Sequence, residues 1–247
     1  MFFFKKNKTV LKDLIPENHI DIHSHLLFGI DDGAKTFDDS LSLTSAMIDF
    51  GVKEFITTPH IIQHVWENNA EIITTKEKEV VSLLQQNNIN LPFKAAAEYL
   101  MDDHFVKLFQ SGPLLTLKDN YVLVEMSYIN APIQLYDIIF DLQVAGYKPV
   151  LAHPERYVFY HKNFSEYTKL KKSGCLFQLN MLSAVGYYGG GVFLTAKKLL
   201  ESGMIDYVGS DVHHNKHIEA FHNKVDIKDL KPLKDAISNN QFFATAK

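Results

Sequence analysis

The chain has 247 residues, 46% hydrophobic and 22% charged, which is enough apolar material for a sizeable core. Its net charge of -4 and pI near 6.3 argue against a broadly basic nucleic-acid-binding face, and its one cysteine, Cys175, excludes an intrachain disulfide. No stretch approaches the ~20 apolar residues of a membrane span, and the lack of a secretory signal leads to the expectation of a cytoplasmic protein.

Residues 1–18 read as an N-terminal arm, opening Met1-Phe2-Phe3-Phe4-Lys5-Lys6, that leaves room for a neighbouring subunit and hence a homo-oligomer. The remainder, 19–247, reads as one domain. A strand over about 19–25 places Ile20 and Ile22 inside and ends in His23 and His25, whose i, i+2 spacing puts both imidazoles on one face. Asp31 and Asp32 follow in the next loop. Thr36 has the place of an N-cap for a helix that buries Leu43, Met47 and Phe50 and stops at Gly51. Strand two, 52–58, ends in Pro59-His60 and precedes a helix over 68–87. Strand three, 93–97, ends in Glu98, and a short helix spans 102–110. Strand four, 121–124, ends in Glu125, with a helix over 132–145. Strand five, 149–152, ends in His153-Pro154, with a helix over 164–172. Strand six covers 176–180, and a helix ending at Gly203 follows the Gly189-Gly190-Gly191 run. Strand seven, 205–209, ends in Ser210-Asp211-Val212-His213, and one or two helices finish the chain. Strands alternating with helices in this way predict an α/β fold with a parallel sheet closed as a barrel.

The histidines and carboxylates fall at strand ends: His23 and His25, His60, Glu98, Glu125, His153, then Asp211 and His213. In a barrel of parallel strands these ends converge on one rim, where such folds place their sites. Nitrogen and oxygen donors without thiolate suit manganese, iron or zinc. The donors exceed what one ion needs, so two or three ions bridged by carboxylates are expected, with Glu98 as the candidate bridge. Closely spaced ions activate water and clamp both oxygens of a phosphoryl displacement. Arg156, three residues after His153, offers a planar fork for a phosphate oxyanion. Trp66, Tyr128, Tyr187 and Tyr188 lie in loops after strands and could form a rim for a phenyl ring. The other histidines read as surface or core residues, with His64, His214 and His217 nearest the site.

Taken together, Asp21-Ile22-His23-Ser24-His25, Gly29-Ile30-Asp31-Asp32-Gly33, Thr57-Thr58-Pro59-His60, Ala97-Glu98, Val124-Glu125, Ala152-His153-Pro154-Glu155-Arg156 and Gly209-Ser210-Asp211-Val212-His213 carry a resemblance. The chain resembles the PHP (polymerase and histidinol phosphatase) superfamily, in particular the bacterial manganese-dependent protein-tyrosine phosphatases of capsule and exopolysaccharide operons. The resemblance implies a distorted (β/α)7 barrel with three metal ions, Mn2+ first and Fe or Zn as alternatives. It implies that His23, His25, Glu98 and Asp211 hold one ion, Glu98, Glu125 and His153 a second, and Asp32, His60 and His213 the third. It implies Arg156 as the phosphate binder and a phosphotyrosine protein, such as an autophosphorylated bacterial tyrosine kinase, as substrate. Water at the metals, or Asp32, His60 or His213, would supply a proton to the departing phenolate. Related enzymes carry a second arginine after the Asp-x-His motif; here the segment reads His214-Asn215-Lys216-His217-Ile218-Glu219, leaving Lys216 or His217 as a substitute point charge. The competing readings are a small-molecule phosphoesterase such as histidinol phosphatase, and a non-catalytic regulatory binder.

Overall fold

In the computed structural model, which describes residues 9–245, parallel strands alternate with helices along the chain. The strands are β1 (His19–Asp21), β2 (Val52–Thr57), β3 (His60–Ile61), β4 (Phe93–Ala95), β5 (Glu98–Leu100), β6 (Tyr121–Glu125), β7 (Lys148–Ala152), β8 (Leu176–Asn180) and β9 (Tyr207–Gly209). The helices are α1 (Phe37–Asp49), α2 (Ala70–Gln86), α3 (Asp103–Ser111), α4 (Leu135–Val144), α5 (Ser165–Lys172), α6 (Gly190–Glu201), α7 (Asn215–Ala220) and α8 (Lys231–Asn239). Thr36 caps α1 as expected: its hydroxyl accepts from the Asp39 amide while the Asp39 carboxylate accepts from the Thr36 amide.

The strands form two parallel sheets, ordered β1-β2-β4 and β3-β5-β6-β7-β8-β9. Two of the seven expected strands are therefore each followed, after a break, by a further short strand that joins the other sheet. Strand two breaks between β2 and β3 at Thr58-Pro59, where proline has no N–H to give to a ladder. Strand three breaks at Ala96-Ala97, between β4 and β5. The expected first strand also stops early, at Asp21, so His23 and His25 lie on the extended chain just beyond it. There, Ser24 makes an isolated parallel bridge with Val212, the His25 amide donates to the Val212 carbonyl at 3.0 Å, and the Asp211 amide donates to the His23 carbonyl at 2.8 Å.

Strand residues alternate between two packing environments. Ile20, Ile56, Leu123 and Val150 meet in an inner cluster that includes Phe243, while Val122, Val124, Leu151 and Phe177 pack outward with helix residues such as Ile138 and Leu142. Close to Phe243, Asn240 does the work of a missing strand between β1 and β9. Its Nδ2 donates to the carbonyls of Ile20 and Val208, each at 2.9 Å, and its Oδ1 accepts from the Val208 amide at 3.1 Å.

Part of the expected arm is anchored. Val10 bridges antiparallel to Lys224, the Leu11 amide donates to the Asn223 carbonyl, and Leu11 is fully buried. Met1–Lys6 lie outside the described residues. Among the described residues, no helix is long and apolar enough to cross a membrane.

Candidate metal centre

The nine expected donors fall into four overlapping groups, each with its facing atoms within 4.8 Å of one another. His25 meets Asp32, His60 and His213; His23 meets Glu98 and His153; His23 and His25 meet Asp211; and His60 meets Glu98 and Glu125. Glu98 stands at the middle. Its Oε2 is 3.2 Å from both His23 Nε2 and His60 Nδ1, and its Oε1 is 3.0 Å from His153 Nε2. Glu125 Oε1 faces His60 Nδ1 at 3.0 Å, and Glu98 stands between it and His153.

His60 Nδ1, Glu98 Oε2 and Glu125 Oε1 are all buried, with the two oxygens 3.2 and 3.0 Å from the nitrogen, yet none of the three makes a well-directed hydrogen bond. Unpartnered polar atoms in a protein interior are costly. Three of them converging, from an imidazole and two carboxylates, form the donor set a divalent cation would satisfy. The residues present fit a metal.

Their neighbours hold them in that posture. His23 Nδ1 donates to Gln178 Oε1 at 2.7 Å and His25 Nδ1 donates to Asp31 Oδ2 at 2.8 Å, leaving both Nε2 lone pairs facing inward. Asp31 is thus the buried partner of His25, also accepting from the Gly33 and His60 amides, whereas Asp32 Oδ1 faces His213 Nε2 at 3.4 Å and His60 Nε2 at 3.5 Å. That separates the two adjacent aspartates. Asp211 Oδ2 accepts from Asn180 Nδ2 at 2.6 Å and from Arg156 Nη1 at 2.8 Å, which leaves Oδ1 toward His23 and His25. Asn180, which the sequence offered only as a strand end without a ligand, is a positioning group for Asp211. Neither it nor Gln178 carries a distinguishing motif; their i, i+2 spacing on one strand was the available signal.

Backbone strain sits at the same place. His153 and Asp211 both adopt left-handed backbone, with φ of 35° and 51°, at a cost of roughly 1–3 kcal/mol each for non-glycine residues. Close packing is equally strict at Gly33, where an added methyl would lie 2.2 Å from the His25 carbonyl oxygen and 2.4 Å from its Cβ. Gly33→Ala should therefore push the Asp31–Asp32 loop off His25. We expect a loss of about 1–3 kcal/mol from overpacking and weaker metal retention, checked by thermal melting and by metal analysis of the purified variant.

The charges are mutually arranged. Burial would raise Glu98 and Asp211, but the surrounding histidines hold both carboxyls well below the usual range. Burial would lower His60, yet Glu98 raises it to about 9. Protons here compete with cations, so metal uptake should release protons.

Arg156 reaches the cavity between two aromatic faces, its guanidinium carbon 4.8 Å from the Tyr128 ring centre and 4.3 Å from that of Tyr188. The cavity, about 210 Å3, is lined by Arg156, both tyrosines and the inward donors. Two of the four expected rim aromatics are thus at the site; Trp66 lines a separate hollow and Tyr187 packs edge-on against His217. His214 and His217 line the cavity, while His64 is exposed beside Glu67. The substitute point charge is corrected on both counts. Lys216 lines an adjoining cleft, not this cavity, and His217 is buried, which lowers it to about 3 and leaves it uncharged at neutral pH. His217 Nδ1 accepts from the His213 amide, so its proton resides on Nε2.

These features define a class: an α/β protein of parallel strands with a histidine–carboxylate site of the kind that holds divalent cations. The chain belongs to the capsular polysaccharide synthesis CpsB/CapC family, which matches residues 19–224. It is 30% identical over 198 residues to the tyrosine-protein phosphatase YwqE of Bacillus subtilis, covering 80% of this chain and 78% of that one. It is 27% identical over 201 residues to the tyrosine-protein phosphatase CpsB of Streptococcus pneumoniae, covering 79% and 83%. Crystal structures of those two proteins, described as unique metal-dependent tyrosine phosphatases, include one that superposes with a TM-score of 0.76 at 27% identity, covering 91% of this chain and 88% of that one. A histidinol phosphate phosphatase of Lactococcus lactis shares the fold alone, with a TM-score of 0.51 at 12% identity and coverage of 93% and 95%.

Proposed function

We propose that the chain is a metal-dependent protein-tyrosine phosphatase that acts in the cytoplasm on a phosphotyrosine protein, such as a bacterial tyrosine kinase controlling capsule or exopolysaccharide synthesis. The observation that carries this reading is the set of unpartnered, buried donor atoms around Glu98, set beside an arginine held between two tyrosines. We read the two sheets as one distorted (β/α)7 barrel whose rim bears the site. Three ions, Mn2+ first, would be held by His23, His25 and Asp211, by Glu98 with Glu125 and His153, and by Asp32, His60 and His213, with Glu98 shared. Bound there, divalent cations would lower the pKa of water and neutralise charge on the phosphoryl oxygens.

The chain supplies the rest. Arg156 binds and orients the phosphoryl group; its fork is fixed by Tyr128 and Tyr188, and Asn180 shares with it the task of aiming Asp211. His217 presents a neutral Nε2–H to the same cavity. Phenolate is a tolerable leaving group, so its proton can come from water held at the site or from whichever of Asp32, His60 and His213 does not hold a cation.

Cys175 separates this from a thiol mechanism. It is buried, and burial pushes its thiol up to about 12. Chelation should therefore abolish hydrolysis of a phosphotyrosine peptide, and thiol alkylation should leave it intact. The reverse pattern would sink the proposal, and faster turnover of histidinol phosphate than of the peptide would favour the small-molecule reading.

A further inference from the structure

Beside the metal cavity lies a larger hollow that the chemistry above does not use. It has a volume of about 570 Å3 and is lined by Leu100, Met101, Ser127, Asn130, Ile133 and their neighbours. Glu98 faces the metal cavity, and two residues further along the same chain Leu100 lines the hollow; Tyr128 faces the cavity, and Ser127 lines the hollow. The two spaces therefore flank the same two segments. A third hollow, of about 250 Å3, contains Trp66 and Leu108 and shares Gln63 and His104 with the larger one. The two together make a trough leading away from the site.

Three observations say what the trough takes. The metal cavity, at about 210 Å3, falls below the roughly 300–1,000 Å3 of pockets that enclose a whole ligand, so it suits a phosphorylated ring and not what the ring is attached to. The trough is lined by Ile133, 103% exposed, and Ile129, 84% exposed, stands on the same loop beside Tyr128. Its lining contains no lysine or arginine, but does contain Asp102, Asp103 and Glu67. Apolar walls with an acidic margin favour apolar residues and repel acidic ones.

We infer that this trough seats the substrate polypeptide on one side of the phosphotyrosine, as an extended segment with apolar side chains. The inference rests on the phosphatase reading above, and the measurements separate the two.

The test compares wild type with the Ile129→Ser/Ile133→Ser double variant, both changes lying on exposed side chains outside the catalytic machinery. Each manganese-loaded protein is assayed on 4-nitrophenyl phosphate, on a phosphotyrosine peptide flanked by leucines and on the same peptide flanked by serines. Wild type should favour the leucine peptide by about tenfold in kcat/KM, carried by KM, the scale of one or two apolar contacts in a pocket. The double variant should lose that preference and keep its constants for 4-nitrophenyl phosphate. A preference that survives in the variant would overturn the inference, as would an equal fall on all three substrates. So would light scattering that shows wild type to be an oligomer dissolved by the two serines, since that loop would then be a contact between copies. Wild type that fails on 4-nitrophenyl phosphate would instead overturn the phosphatase reading, and the trough with it.

Discussion

Replacing Glu98 by glutamine is expected to lower phosphotyrosine-peptide turnover by more than about a hundredfold, beyond the 10–100-fold that loss of an outer partner of a metal ligand costs. Among the described residues, Glu98 is the one carboxylate within 3.5 Å of all of His23, His25, His60 and His153. Glutamine keeps its size but puts an N–H where imidazole nitrogens already converge. The variant should fold, because the cavity is still filled, and it should fail to gain stability from metal. For wild type, cation at a hundredfold excess over Kd should add about 2.7 kcal/mol by mass action, or roughly 5–10 °C in Tm for a chain of this length. Thermal melts with and without Mn2+ check this: a Glu98→Gln protein that still shows the full shift would remove Glu98 from the centre of the site.

The second large effect is expected at Arg156. Arg156→Ala should lower kcat/KM by about 10²–10³-fold, the scale of losing one preorganised donor at developing charge, with metal content unchanged. The reason for the unchanged metal is Asn180, whose amide also holds Asp211 Oδ2 when the guanidinium is gone. Arg156→Lys should recover little. An ammonium keeps the charge but neither forks onto two oxygens nor lies flat between Tyr128 and Tyr188. Metal analysis beside steady-state kinetics decides the matter; a variant that loses metal along with turnover would make Arg156 a support of Asp211 instead of a phosphate binder.

Much of the site was legible because the chain repeats a simple device, a buried strand ending in a histidine or an acid. Alternation in Ile20-Asp21-Ile22 and the apolar runs before Glu125 and His153 locate those ends without any knowledge of contacts. What the pattern did not reveal depends on neighbours remote in sequence. Gln178 and Asn180 look like ordinary polar strand residues until His23 and Asp211, 155 and 31 residues away, are laid beside them. Tyr128 and Tyr188 were legible as aromatics near the site but not as two faces of one clamp, since Arg156 joins them only in space. The resumption of pairing after Pro59 and after Ala96-Ala97 was hidden as well, because His60-Ile61 and Glu98–Leu100 are short and follow residues of weak β propensity, so the sequence marks only an end there. The uncharged state of His217 follows from burial, which sequence alone does not show.

The meeting of the first and last strands has a consequence for how the protein comes to be made. Ser24 bridges Val212 and Asn240 ties Ile20 to Val208, so His23 and His25 find Asp211 and His213 at a separation of 188 positions along the chain. Closing a loop of that length carries an entropic charge of roughly 4–5 kcal/mol, and nothing synthesised early can offset it. On the ribosome, the nascent chain would hold half a centre until the last helix has cleared the exit tunnel. Completion of the His23–His25–Asp211 set is then a late event of biosynthesis, and a chain truncated before Asn240 would keep all nine donors but lose the hydrogen bonds that tie Ile20 to Val208.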